Sequence, residues 1–174
     1  MALIVEDGTG LETAESYLSV ADADTYVSKY VFATTTCDAA IEAAKEKALR
    51  LATQYLDNEY KNRWKGDRTS EEQALAWPRA WAYDEDGYLV LSDELPQALK
   101  NACAEMAVRA LSVDPMVDLT DDCDLKAIAV EVGPLKEKKE YQGASSVRPG
   151  YDKVDAILAG LIHTTSHGGV AERA

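Results

Sequence analysis

Seven apolar side chains between residues 41 and 56 recur at intervals of three and four: Ile41, Ala44, Ala48, Leu51, Ala52, Tyr55 and Leu56. That period puts them on one stripe of an α-helix and is incompatible with the two-residue alternation of a strand. The other side carries Glu42, Lys45, Glu46 and Arg50, so the segment has one face to bury and one to solvate. A helix of this length gains most of its stability from packing that stripe, so the chain must supply other elements to cover it. Asp38 can accept from the free amides of a first turn, so the helix is expected to begin near it.

Other segments meet that demand. Ser19, with Asp22 three residues on, predicts a helix start, and Val20, Ala23, Tyr26, Val27 and Tyr30 follow at helical spacing. Thr69-Ser70-Glu71-Glu72 has the form of a capping box and predicts a short helix through Ala74, Leu75 and Ala76 to Trp77, stopped by Pro78. Pro96 opens a further helix with the stripe Leu99, Ala102, Cys103, Met106, Ala110 and Leu111, closed at Asp114-Pro115. At Ile128, Val130 and Val132 the period drops to two; Gly133-Pro134 and the charged run Leu135 to Tyr141 complete a β-hairpin pattern. Val154, Ile157, Leu158 and Leu161 predict a last short helix.

The fold class expected is therefore mainly α: a small helical bundle of three to four helices plus a β-hairpin near 127–141 and an extended C-terminal arm. Residues 1–18 read as extended, with a turn at Asp7-Gly8-Thr9-Gly10. Residues 1–142 are expected to form the helical domain, and 143–174 the linker, short helix and arm. No apolar run reaches the roughly 20 residues of a membrane helix.

Charge narrows the function classes. The chain has 18 basic and 31 acidic residues, a net −13. Residues 80–124 hold eleven of those acids against two bases, ending in Asp114, Asp118, Asp121, Asp122 and Asp124. Such a field disfavours gripping a phosphate backbone. Three cysteines, Cys37, Cys103 and Cys123, are odd in number and widely spaced, which suits reduced thiols in a cytoplasm. The two histidines, His163 and His167, lie four apart with no third ligand suitably spaced, so no metal site, cofactor or histidine-based catalytic set is expected. Asp84-Glu85-Asp86-Gly87 reads as a turn, because the spacing of a calcium loop is not completed. The chain is not expected to be an enzyme.

One stretch mixes rings with cations: Tyr55, Tyr60, Lys61, Arg63, Trp64, Lys65, Arg68, Trp77, Arg79 and Trp81. Single-strand binding platforms use such a mixture. The alternative is that Tyr55, Trp64 and Trp77 plug the core while the bases pair with Asp57, Glu59, Asp67 and Glu71.

A resemblance covers the chain up to about Leu161. It is carried by Ala74-Leu75-Ala76-Trp77-Pro78-Arg79-Ala80, then Tyr83-Asp84-x-Asp86-Gly87-Tyr88, and Pro96 opening a helix. Ala2 to Leu11, Ala14-x-Ser16-Tyr17-x-Ser19-Val20, the Ala48 to Asp57 segment and Val132-Gly133-Pro134 add to it. The sequence resembles a phage family labelled DnaT-like single-stranded DNA-binding, whose members look like the head–tail connector, or adaptor, proteins of tailed phages. Trp64, Trp77, Pro78, Arg79, Tyr83, Asp86, Gly87 and Tyr88 stand as its core and signature residues.

The resemblance implies a structural virion protein located in the head–tail neck and assembled in the host cytoplasm. It would form a homo-oligomeric ring, usually of twelve copies, between the portal protein and a tail-side stopper or tail protein. Genomic DNA would pass through without specific binding, and Asp114, Asp118, Asp121, Asp122 and Asp124 are the candidates for an acidic lumen. Twelve copies would carry on the order of −150, which repels phosphates. By analogy with such connectors, Tyr151, Val154, Ile157, Leu158, Leu161, Ile162, His163, His167 and Val170 are candidates for portal contact. The label itself implies the other class, a single-stranded DNA-binding accessory protein.

Overall fold

The computed structural model describes residues 2–31, 40–116, 127–132, 135–140 and 150–163. Helix α1 spans Val20–Tyr30, with the Ser19 side chain accepting from the Asp22 amide as the capping pattern requires. Helix α2 spans Glu42–Glu59, α3 spans Gln97–Ala110 after Pro96, and α4 spans Asp152–Leu158, continued by a 3₁₀ turn over Ala159–Leu161. Strands β1 (Asp67–Arg68) and β2 (Arg79–Ala80) pair antiparallel. Strands β3 (Ala127–Val132) and β4 (Leu135–Glu140) form the hairpin, antiparallel, with Ala127 opposite Glu140 and Val132 opposite Leu135. The mainly helical class with one hairpin is the architecture the periodicities indicate.

The described residues of Met1–Pro115 and Asp152–Ala174 form one unit, and those of Met116–Tyr151 a second. This departs from the expected division into 1–142 and 143–174. The physical reason is burial: Val154 and Leu158 are fully buried, and Leu161 and Ile162 nearly so, which makes α4 part of the helical core. Lys153 Nζ also donates to buried Glu105 on α3 at 2.7 Å, and Glu105 is held in turn by Arg109 at 2.8 Å.

The core of the helical unit is built from Leu49, Ala52 and Leu56 of α2 against Leu99, Cys103 and Met106 of α3. Tyr17, Tyr60, Trp64 and Trp77 close it at the end where α2 stops. Trp64 and Trp77 meet edge to face at 5.9 Å between centroids, a favoured arrangement for aromatic pairs. Burial pushes the Cys103 thiol up to about 11.

Two expected helix features are corrected. Helix α2 begins at Glu42, not near Asp38, which lies outside the described residues; Ile41 precedes it with no side-chain cap, and its own side chain is exposed. The stripe is also wider than the period indicates, taking in Leu49 and Thr53.

The second correction concerns 69–77, which are not helical. Buried Gln73 explains this. Its Oε1 accepts from Thr69 Oγ1 at 2.9 Å and the Ser70 amide at 3.0 Å, and its Nε2 donates to the carbonyls of Leu75 and Pro78. The Ala74 amide donates to Leu11 and the Ala76 amide to Asp57, so amides that a helix would use internally are claimed from outside. The Trp77–Pro78 peptide is cis.

Gly66 lets the backbone fold onto itself here. Its φ is +70°, and a Cβ would sit 2.3 Å from the Ala80 carbonyl oxygen and 2.7 Å from the Ala82 amide nitrogen. Gly66→Ala is therefore expected to cost on the order of 2–4 kcal/mol. Urea unfolding followed by far-ultraviolet circular dichroism measures this, and an unchanged midpoint would refute the close approach.

Candidate interaction surface

Most rings of the aromatic–basic stretch are unavailable for stacking. Tyr55, Tyr60, Trp64 and Trp77 are all buried, which is the core-plug alternative. Its cations are largely engaged as well. The Arg79 guanidinium donates to the carbonyls of Lys65, Gly66 and Ala76; Arg68 donates to the Gln73 carbonyl; Lys65 Nζ donates to the Gly160 carbonyl at 2.7 Å. Arg63 stacks over the Tyr60 ring at 5.1 Å and lies 3.8 Å from Asp155. These contacts hold residues 60–79 to one another and to 155–160 rather than present positive charge. The expected partners Asp57, Glu59, Asp67 and Glu71 are mostly replaced by backbone carbonyls.

Beside these residues runs a cleft of about 510 Å3, whose lining includes Lys61, Trp64, Asp67, Arg68, Leu75 and Arg79. Asp57 also lines it. Its carboxylate accepts from the Ala76 amide at 3.0 Å and from the Tyr17 hydroxyl, which itself accepts from the amides of Ala76 and Trp77. Burial pushes the Asp57 carboxyl up to about 6, against the lowering effect of those hydrogen bonds and of Arg68 and Arg79.

The other notable surface is the loop 81–91. The Val90 amide donates to the Ala82 carbonyl at 2.8 Å, and Tyr83 bridges Leu89 antiparallel. Asp84 closes the turn, its carboxylate accepting from the Tyr88 amide at 2.8 Å and its amide donating to the Tyr88 carbonyl. Gly87, at φ +84°, supplies the conformation the turn signal anticipates. The loop leaves Trp81, Tyr83, Tyr88, Leu89 and Leu91 exposed, Trp81 by 69% and Tyr88 by 72%. Trp81 adopts φ +59°, a region that a bulky L-residue occupies only at a cost of about 1–2 kcal/mol. Nothing in the sequence pattern separates exposed Trp81 from buried Trp64 and Trp77, since all three sit in one mixed stretch.

The signature residues thus divide. Trp64, Trp77 and Pro78 build the interior and half-buried Arg79 ties down the backbone beside them, whereas Tyr83, Asp86, Gly87 and Tyr88 form the exposed loop. The family described as "Putative DnaT-like ssDNA binding protein" matches the chain over residues 1–174. The chain belongs to this family. No curated protein and no solved structure matches it.

The remaining candidates are placed as follows. Of the portal-contact set, Val154, Leu158, Leu161 and Ile162 are buried in the helical unit and cannot offer those side chains while α4 stays packed. Tyr151 and Ile157 are half-buried and His163 is exposed, while His167 and Val170 lie outside the described residues. Of the acidic set, Asp114 is exposed, and Asp118, Asp121, Asp122 and Asp124 lie outside them. Among the described residues no group of three or more His, Cys, Asp or Glu is placed to hold a metal, and no helix is long and apolar enough to cross a membrane.

Proposed function

We propose that this chain is a structural adaptor of the head–tail neck of a tailed phage, a ring component seated between portal and tail. The observation that carries the reading is the exposed loop 81–91, an aromatic and aliphatic surface on a chain of net charge −13. Contiguous exposed apolar side chains rimmed by polar ones mark protein contacts. The acidic excess suits a passage for DNA, because like charge keeps a duplex from sticking to the wall. Symmetry in a cryo-electron microscopy map of the intact neck tests this: a ring, twelve-fold by expectation, supports it, and a single copy per particle ends it.

A second reading, a single-stranded DNA-binding accessory protein, is favoured by the family description and by the presence of Lys61 and Arg68 in the lining of the cleft. Against it stand the buried rings and the engagement of Arg68 and Arg79 with backbone carbonyls. The adaptor reading predicts no affinity tighter than micromolar for a fluorescent oligonucleotide at low salt. Tight binding with a steep salt slope would select the accessory protein instead.

A further inference from the structure

We propose that β4 is a dimerisation edge: Leu135–Glu140 pairs antiparallel with the same strand of a second copy, with Lys138 opposite Lys138 on the two-fold axis. The contact stands apart from the adaptor reading. It is two-fold, whereas a ring repeats one heterologous contact, so it describes the free chain in solution.

The hairpin is a two-stranded sheet, and among the described residues no third strand pairs with β4. A sheet of two strands is marginal in water, and its open edge offers unpaired N–H and C=O groups to another chain. The register decides which groups are offered. Val132 opposite Leu135 leaves two residues between the strands, and so short a connection is closed by a hydrogen-bonded pair. The backbone groups of Leu135, Glu137 and Lys139 are therefore directed to β3, and those of Lys136, Lys138 and Glu140 outward. An antiparallel partner must set outward residues against outward residues. Two copies of β4 can then meet only with Lys136, Lys138 and Glu140 of one facing members of the same set on the other.

Charge selects among these registers. Lysines on an outer strand ordinarily guard it against pairing, but here they alternate with acids: Lys136-Glu137-Lys138-Lys139-Glu140. With Lys138 on the axis, Lys136 stands opposite Glu140 of the second copy and Glu137 opposite its Lys139, and the symmetry repeats both. Opposite charges facing each other across strands are favourable and like charges are not. One allowed step in one direction sets Lys136 opposite Lys138 and Glu137 opposite Glu137. One step in the other direction leaves only Lys138 to Glu140 overlapped. The faces agree as well. By register and alternation Ile128, Val130, Val132 and Leu135 occupy one face of the hairpin. The dimer brings these positions from both copies to one face of a four-stranded sheet, the size and polarity at which a sheet becomes stable.

Sedimentation equilibrium of the full chain from micromolar to millimolar concentration tests the pairing, and the wild type is expected to reach a dimer. Glu137→Lys and Lys139→Glu each replace facing opposite charges with like ones between copies. Within the hairpin these positions face Val130 and Ile128, so neither variant creates a like-charge pair across its own two strands. Each should weaken association about fivefold or more, although they move the net charge in opposite directions. The two combined in one chain should restore association towards the wild-type value. Lys138→Pro removes an outward amide and no bond between β3 and β4, so it should leave the chain monomeric with an unchanged far-ultraviolet circular dichroism spectrum. If that variant loses its fold, the charge exchange decides the matter by itself. A wild-type chain that stays monomeric throughout, or losses that add in the double variant, overturns the pairing. So does an assembly that survives in folded Lys138→Pro.

Discussion

Trp77→Ala is expected to lower stability by about 3–5 kcal/mol, a large fraction of the total stability of a domain this size. Trp77 is fully buried, packs edge-on to Trp64, and follows Ala76, whose amide is tied to Asp57 and Tyr17. Removing the indole leaves a void between the end of α2 and the 69–80 loops, and the hydrogen bonds that hold those loops prevent them from collapsing into it. Trp77→Phe keeps part of the ring and should lose markedly less. Chemical denaturation of both variants checks this, and equal small losses would show that the loop is not anchored by the indole.

The second large effect is a pH dependence assigned to Asp57. Its carboxyl stands at about 6 in the folded chain, against 3.8 for an ordinary exposed aspartate. The folded state therefore holds a proton that the unfolded state has released between those values. This contribution to stability is fully present below about pH 4 and is lost as pH rises through 6. A rise of that size is worth on the order of 3 kcal/mol. Asp57→Asn cannot titrate, so its stability relative to wild type should improve by up to that amount between pH 4 and pH 7. Urea midpoints of both proteins across the range provide the measurement; parallel curves would mean that Asp57 titrates normally. Pairing the two proteins cancels the titration of the many surface carboxylates.

The sequence carries the helices well because they rest on periodicity and local caps. Ser19 caps α1, Pro96 precedes α3, and the change of period at Ile128 locates the hairpin. It fails at 69–77 for a specific reason. Thr69 and Ser70 are helix-starting residues by any local rule, yet Gln73 answers both through its side chain, and Leu11, Tyr17 and Asp57 take the amides beyond. Those three partners lie 19 to 63 residues back along the chain, where no local pattern reaches. The start of α2 is missed because a competent capping residue, Asp38, stands before a segment that needs none.

The surface is legible only in part. The competition between a stacking platform and a core plug is decided by burial, and burial of Trp64 against exposure of Trp81 depends on the fold around Gly66. The flanking residues give no rule for the difference: Trp64 stands between Arg63 and Lys65 and is buried, whereas Trp81 stands between Ala80 and Ala82 and is exposed. Similarly, the apolar stripe of α4 reads equally well as a partner-seeking face and as a core face, and its packing against α3 decides the matter.

The ion pair between Lys153 and Glu105 has a consequence for modularity. Glu105 and Arg109 lie in the last two turns of α3, and Lys153 in the first turn of α4, so the places where the chain departs into 116–151 and re-enters are fastened by one shared carboxylate. The stretch bearing the hairpin is thus an insert with clamped borders. A change in the length of that stretch is therefore expected to leave the register of the helices on either side unaltered.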